Sequence, residues 1–298
     1  MRAPTRLMSG TIIPHRDDGR PRTLAAGAAG YWHSDRMRAR SALFDVYGDH
    51  LRSRGDQAPV SALIRLLEPV GIAEPAVRTA ISRMAAQGWL EPTRVDASPG
   101  YRASPRAIER LSEAASRIYR RAPEPWDGRW RLVFLEAPRH RGERERLRQE
   151  LTYLGYAEHA PGVWVCPFDR PEIDEVVARA GGSARHAVAV ELDPDPLGAW
   201  DLSALAASYA AWPVVAERLV NDDRPGAVDG ADDDERAFAA RFRLVHEWRK
   251  FLFDDPGLPA QLLPDDWPGV PAAELFTREA ARLKPASDRF VGRCLGTG

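Results

Sequence analysis

The residues best placed to do chemistry lie between Glu74 and Gln87, where apolar and polar side chains alternate at helical spacing. Val77, Ile81 and Met84 fall on one side of a helix, while Arg78, Thr79, Ser82 and Arg83 fall within an arc of about 140° on the other. This is the arrangement a helix needs to enter a major groove, with its apolar stripe locked to the protein and guanidinium and hydroxyl groups directed at base edges and phosphates. Arg78 can offer a bidentate fork to guanine. Arg94 and Arg102, further along, are suited to phosphate contacts that ignore sequence. A solvated charged face is the plain alternative for such a helix in isolation. Other chemistries find little support. Ser203 and Ser208 lack a glycine-flanked nucleophile elbow, and no phosphate loop or dinucleotide fingerprint occurs. The two cysteines, Cys166 and Cys294, cannot make a zinc cluster or a disulfide framework, and Cys166 lies in an apolar strand where a thiol is ordinarily inert.

The elements that must position this helix can be read outward from it. Ala42, Leu43, Val46, Tyr47, His50 and Leu51 recur at helical spacing, and Ser61 to Leu67 forms a second short helix broken by Pro69-Val70-Gly71. Glu74-Pro75 suits the first turn of the third helix, which ends at Gly88 in a left-handed stop. Trp89-Leu90-Glu91 and Tyr101-Arg102-Ala103 then read as two extended pieces around Ser98-Pro99-Gly100, with Trp89 as their hydrophobic anchor. Helix, helix, turn, helix, strand, loop, strand is the order of a winged helix-turn-helix.

Ile108 to Arg121 is helical and arginine-rich, and Pro123-Glu124-Pro125 marks a hinge. Trp130 to Leu135, Ala157 to His159, Val163 to Pro167 and His186 to Leu192 read as strands, with helices over Arg141 to Leu154 and Ile173 to Arg179. This βαββαβ pattern predicts a ferredoxin-like domain. Beyond Asp193-Pro194-Asp195-Pro196 the chain turns helical. Pro213 is expected to kink or restart the first helix, an acidic connector spans Asp222 to Asp234, and further helices cover Glu235 to Phe253 and Ala272 to Leu283. Gly292 to Gly298 is expected to fray. The predicted class is α+β. A disordered tail (1–37) precedes a winged helix-turn-helix domain (38–122), a ferredoxin-like domain (123–195) and a helical domain (196–298).

Charge divides along the same line. Up to Arg121 there are 20 Lys and Arg against 12 Asp and Glu, a net of +8, and the remainder carries 22 against 31, a net of −9. A basic N-terminal module on an acidic body suits a polyanion partner, double-stranded DNA above all. The stretch from Leu197 to Val220 is interrupted by Asp201, Glu217 and Arg218, so it reads as a buried helix and not as a membrane span. With no signal-peptide core near Met1 and few cysteines, a cytoplasmic location is expected.

The segments Ser41 to Asp49 and Ala76 to Leu90 resemble the PaaX family of bacterial repressors, which control phenylacetate degradation and related catabolic operons. The resemblance continues at Arg117-Ile118-Tyr119, Trp126 to Trp130, Pro161 to Trp164, His246 to Phe251, Asp255-Pro256, Leu258-Pro259, Leu262 to Pro264 and Asp266 to Gly269, so it spans about Arg38 to Leu283. The wing departs from it. Where the family tends to carry a basic-aromatic run, this chain has Ser98-Pro99-Gly100-Tyr101-Arg102, which implies fewer phosphate contacts or a different operator. The resemblance implies a homodimeric DNA-binding repressor released by an aryl-CoA thioester such as phenylacetyl-CoA, with no enzymatic activity and no resident cofactor or metal. A CoA thioester needs cations beside an apolar slot. Arg243, His246, Arg249 and Lys250, with Trp248 and the neighbouring Phe242 and Phe251, are the candidates. The alternative keeps Trp248 and Phe251 in the core, pairs Arg249 with Asp254 or Asp255, and leaves His246 a satisfied core histidine. The middle segment is also similar to the ferredoxin-like nuclease of CRISPR adaptation complexes, in which a carboxylate ending the first strand binds metal. Glu136 occupies that position here, without an adjacent carboxylate.

Overall fold

The computed structural model describes residues 37–119, 125–221 and 232–296. The expected tail, the Pro123-Glu124 part of the hinge and most of the acidic connector lie outside the described residues.

The first helix, α1 (Ala39–Asp45), runs directly into a π-helical turn, Val46–Leu51, and then a short 3₁₀ turn. A three-residue strand, β1 (Gln57–Pro59), leads into α2 (Val60–Leu67) and α3 (Glu74–Ala86). Glu74 and Pro75 occupy the first turn of α3, where an acid suits the dipole and proline has no hydrogen bond to lose. Gly88, at φ +72°, ends it as expected, and Trp89 N–H bonds back to Met84 O at 2.9 Å.

The hairpin that follows differs from its expected form. Strands β2 (Leu90–Val95) and β3 (Ser98–Ala103) are longer, and the turn lies at Asp96-Ala97, whose φ angles of +47° and +65° match the right-handed twist of the strands. Ser98-Pro99-Gly100 belongs to β3. Pro99 is tolerated there because β1 pairs with β3 only from Gly100 onward. β1, which the sequence did not signal, completes the sheet in the order β1-β3-β2. At Gly100 a Cβ would stand 2.6 Å from Ala58 O, so glycine alone lets the two strands close.

After α4 (Pro105–Ile118) comes a four-stranded antiparallel sheet with two helices, formed by β4 (Trp130–Glu136), α5 (Arg141–Tyr153), β5 (Ala157–Ala160), β6 (Val163–Cys166), α6 (Ile173–Arg179) and β7 (Ser183–Ala189). The spatial order is β5-β6-β4-β7. β7 starts three residues before its expected position because Ser183 pairs with Glu136. Leu147, Leu151, Trp164, Cys166, Ile173 and Val177 fill the core between sheet and helices.

The remaining chain forms α7 (Leu202–Val220), α8 (Asp233–Trp248), the short α9 (Phe251–Asp254) and α10 (Gly269–Leu295). Pro213 neither breaks nor restarts α7. The long helix expected to reach Phe253 divides at Arg249-Lys250. α10 continues a dozen residues past its expected end, through Pro285, and Gly292 to Leu295 are helical where fraying was expected. The cause is packing. Phe290, Val291 and Cys294 enter the same core as Leu43, Tyr47, Leu63, Ile81 and Trp89, joined there by Phe238 and Phe242 of α8. That burial outweighs the hydrogen bond lost at Pro285. No helix among the described residues is long and apolar enough to cross a membrane.

Candidate nucleic-acid interface and central cleft

α3 divides as its spacing predicts. Val77, Ala80, Ile81 and Met84 are buried, whereas Arg78, Thr79, Ser82 and Arg83 are exposed. Arg78 Nε donates to Glu74 Oε1 at 2.7 Å one turn earlier, and Thr79 Oγ1 donates to Pro75 O at 2.8 Å, so both side chains lie along the helix. Arg94 donates to Ala97 O at the tip of the hairpin (2.7 Å), and Arg102 faces Glu91 at 3.5 Å. Trp89 is buried edge-on to Phe44 (centroids 5.4 Å apart), with the Arg106 guanidinium 4.2 Å from its ring centroid. It anchors the hairpin to α1 and is unavailable to a base.

Behind α3, two carboxylates one turn apart join α1 to α8. Asp45 Oδ2 meets His246 Nδ1 at 2.6 Å, and Asp45 Oδ1 meets Arg249 Nε at 2.6 Å. Arg249 also donates to Ser41 Oγ. Asp49, inside the π turn, is paired with Arg241 and accepts from the Tyr119 hydroxyl at the end of α4. Arg241 Nε donates in turn to Ala280 O of α10 at 3.1 Å. Burial pushes the Asp49 carboxyl up, but the charges of His50 and Arg241 and hydrogen bonds from Arg241 and Tyr119 overcome this and draw it down to about 2. The Tyr119 hydroxyl is pushed above the usual phenol range by burial and by Asp49. Next to Asp49, His50 is fully enclosed against Phe238 and Phe242, and burial lowers its pKa to about 4. It is neutral near pH 7.

A cleft of about 1190 Å³ opens where α4, α5, α6 and the C-terminal helices converge. Arg106 and Arg110 of α4, Arg170, Arg179 of α6 and Arg278 line it among seven carboxylates, and Arg110 and Arg179 are paired with Glu113 and Glu175. Its apolar wall is built from Tyr209, Trp248, Phe251, Trp267 and Phe276, with Tyr209 and Phe251 stacked at 4.2 Å and Trp248 and Phe276 at 4.7 Å. Carboxylates including Glu109, Glu150 and Glu175 also border it, and burial raises the pKa of Glu150. Arg110 lies 4.0 Å from the Tyr153 ring centroid.

The residues singled out on the C-terminal helices separate accordingly. Trp248 and Phe251 border the cleft but are buried in one core with Tyr209, Trp212 and Phe276, as the alternative reading expected. His246 and Arg249 are buried and turned toward Asp45. Arg249 therefore pairs with neither Asp254 nor Asp255. Arg243 donates to Pro69 O at 3.0 Å, and Lys250 Nζ donates to Glu247 at 2.5 Å. The arginines of α4 and α6 line the cleft without having been singled out as ligand contacts. Their signal was the arginine content of the α4 sequence, which says nothing of what α4 faces. Glu136 accepts from Ser183 Oγ at 3.0 Å and lies 3.6 Å from Arg185. Among the described residues no group of three His, Cys, Asp or Glu is placed to hold a metal ion.

Family models match this chain along most of its length: PaaX-like protein at residues 38–107, the PaaX protein central Cas2-like domain at 123–193 and the PaaX-like protein C-terminal domain at 200–293. The chain belongs to the PaaX-like family. The transcriptional repressor PaaX of Escherichia coli K12 is 30% identical to it over 264 residues, covering 84% of this chain and 82% of that protein. A solved structure, an uncharacterized protein Rv0674 from Mycobacterium tuberculosis, is 28% identical with a TM-score of 0.54, covering 85% of this chain and 98% of the other.

Proposed function

We propose that this protein is a homodimeric, DNA-binding transcriptional repressor that reads its operator through a winged helix-turn-helix (38–122), with a ferredoxin-like domain (123–195) and a helical ligand-sensing domain (196–298) behind it. The observation that carries the reading is α3, whose Arg78, Thr79, Ser82 and Arg83 are exposed together while its opposite face is buried. Family membership and the repressor relative support it. Arg94 and Arg102 on the hairpin supply phosphate contacts.

The effector in this reading is an acyl-CoA thioester such as phenylacetyl-CoA, seated in the cleft. The cations Arg106, Arg110, Arg170 and Arg179 suit its phosphates, and the wall around Trp248 and Phe276 suits its acyl group. His246 and Arg249 then transmit and do not bind, because they lie on or just beyond α8 beside Trp248 and grip Asp45 on α1. A ligand that binds more tightly when this grip is rearranged shifts the repressor away from its DNA-competent form.

Fluorescence anisotropy on the chain's own upstream DNA, titrated with phenylacetyl-CoA, tests both parts. Salt-sensitive binding released by the thioester and not by free CoA is the expected result. Binding that ignores every acyl-CoA removes the effector, and binding no tighter than to random DNA removes the repressor.

A further inference from the structure

Where β4 stops and α5 begins, the central domain carries cations that the acids around them do not neutralise. Arg139, Arg141 and Arg144 lie close together in the chain, and all three are exposed. Among the described residues the guanidinium groups of Arg139 and Arg141 meet no carboxylate. Arg144 donates to two carbonyls, Arg139 O at 2.8 Å and Pro138 O at 3.3 Å, and so keeps its full charge. The carboxylates at this end are engaged elsewhere. Glu136 is held by Ser183 and Arg185, Glu143 by Arg146 at 3.3 Å, and Glu158 by Arg148 at 2.6 Å and the N–H of Gly162. The chain beyond Arg121 has a net charge of −9, so three unbalanced guanidinium groups side by side go against its trend.

The platform beneath them is fixed. Pro138 is buried, and a Cβ at Gly182 would stand 2.8 Å from Glu136 O and 3.6 Å from Pro138 Cδ, so the loop after α6 closes directly on the end of β4. The two bonds from Arg144 tie that loop end to α5, and Arg141 and Arg144, three residues apart, are neighbours on one helix face. Cations held on a rigid base lose less freedom on binding an anion. None of the three borders the cleft assigned to the effector. No Phe, Tyr or Trp occurs between Glu136 and Arg148 to stack on an unpaired base, so the backbone of a duplex is the polyanion this surface fits. At the same end of the domain Arg179 borders the cleft together with Trp89 and Arg106 from the base of the hairpin.

We infer that Arg139, Arg141 and Arg144 form a second DNA-contacting surface, which grips duplex phosphates beyond the base pairs read by α3. This rests on the DNA-binding reading above and adds to it a sequence-neutral contact from the central domain.

Anisotropy on two fragments of the chain's own upstream DNA is the test. One is the shortest fragment that is still bound tightly, and the other is the same fragment extended by about one helical turn of scrambled sequence at each side. The wild type should bind the extended fragment at least about tenfold more tightly at low salt, with a steeper dependence on salt. Arg139→Ala/Arg141→Ala should lose that gain, and its salt slope on the extended fragment should fall by about 0.9 for each phosphate contact removed. Arg139→Lys/Arg141→Lys should keep most of it, because a phosphate accepts a point charge. Adding Arg144→Ala should remove what remains, and circular dichroism should match the wild type in the double variants, whose altered side chains face solvent. A wild type that binds both fragments alike, or an alanine variant that keeps the gain, overturns this surface and leaves the α3 reading standing. So does an alanine variant that alters only the phenylacetyl-CoA concentration needed for release. A wild type that binds neither fragment more tightly than random DNA overturns both.

Discussion

Arg78 is not simply presented to solvent. Its guanidinium is shared with Glu74 at 2.7 Å, and both side chains are more than half exposed. An exposed ion pair of this kind is worth little, so a guanine edge can compete for the fork at small cost. Arg102 is held more loosely by Glu91, at 3.5 Å, on the hairpin. The two arginines therefore predict different phenotypes. Arg78→Ala should relax specificity at one operator position, by about 1–3 kcal/mol. Arg102→Ala should weaken all sequences alike and lower the slope of log affinity against log salt by about one. Anisotropy on an operator and its single-base variants, at several salt concentrations, separates the two. If both variants bind as wild type does, α3 and the hairpin are not the DNA-facing surface.

At the scale of elements, α10 is the part of the molecule whose role changed most between sequence and structure. Its last turns carry Phe290, Val291 and Cys294 into the core behind α3, and Phe290 lies 5.0 Å from Phe238. Phe290→Ala should therefore lower global stability by about 3–5 kcal/mol in urea unfolding, despite lying more than 200 residues from α3. A loss below about 1 kcal/mol would mean that the end of α10 is peripheral. The sequence hid this because Pro285 reads as a stop, and only packing far away in the chain compensates for it. α3 itself was legible, since Val77, Ile81 and Met84 declare a buried face without help from any distant residue. The hairpin turn was misplaced because Ser98-Pro99-Gly100 is the stronger turn signal, whereas Asp96 and Ala97 adopt positive φ under the constraint of the strand register. In the candidate site, Asp45 and Asp49 passed unnoticed. Their partners His246 and Arg241 lie 201 and 192 residues away, and no local pattern marks a buried carboxylate whose counter-ion comes from so far along the chain.

For the whole molecule, the π turn after α1, packed against α8, contributes to the response to acid. His50 is enclosed and its pKa falls from 6.5 to about 4, so the folded protein keeps it neutral while the unfolded chain takes up a proton. Its contribution is complete above pH 6.5 and is lost as pH falls toward 4, by roughly 3 kcal/mol over that window. Asp49, held at about 2, is lost only below that range, as pH falls from 3.8 toward 2. Urea unfolding at pH 7, 5.5 and 4 should show the decline, and His50→Phe should flatten it between pH 6.5 and 4. An unchanged slope in that variant would show that His50 is not the titrating group. The same junction has a bearing on how the protein is made. A ribosome releases the residues of α1, α2 and α3 first, yet the core behind them lacks Phe238 and Phe242, and then Phe290 and Cys294, until synthesis has passed those positions. The N-terminal segment must therefore wait, incompletely packed and with apolar surface uncovered, through the translation of nearly all the rest of the chain. The end proposed to face DNA is the first to be synthesised and the last to be finished.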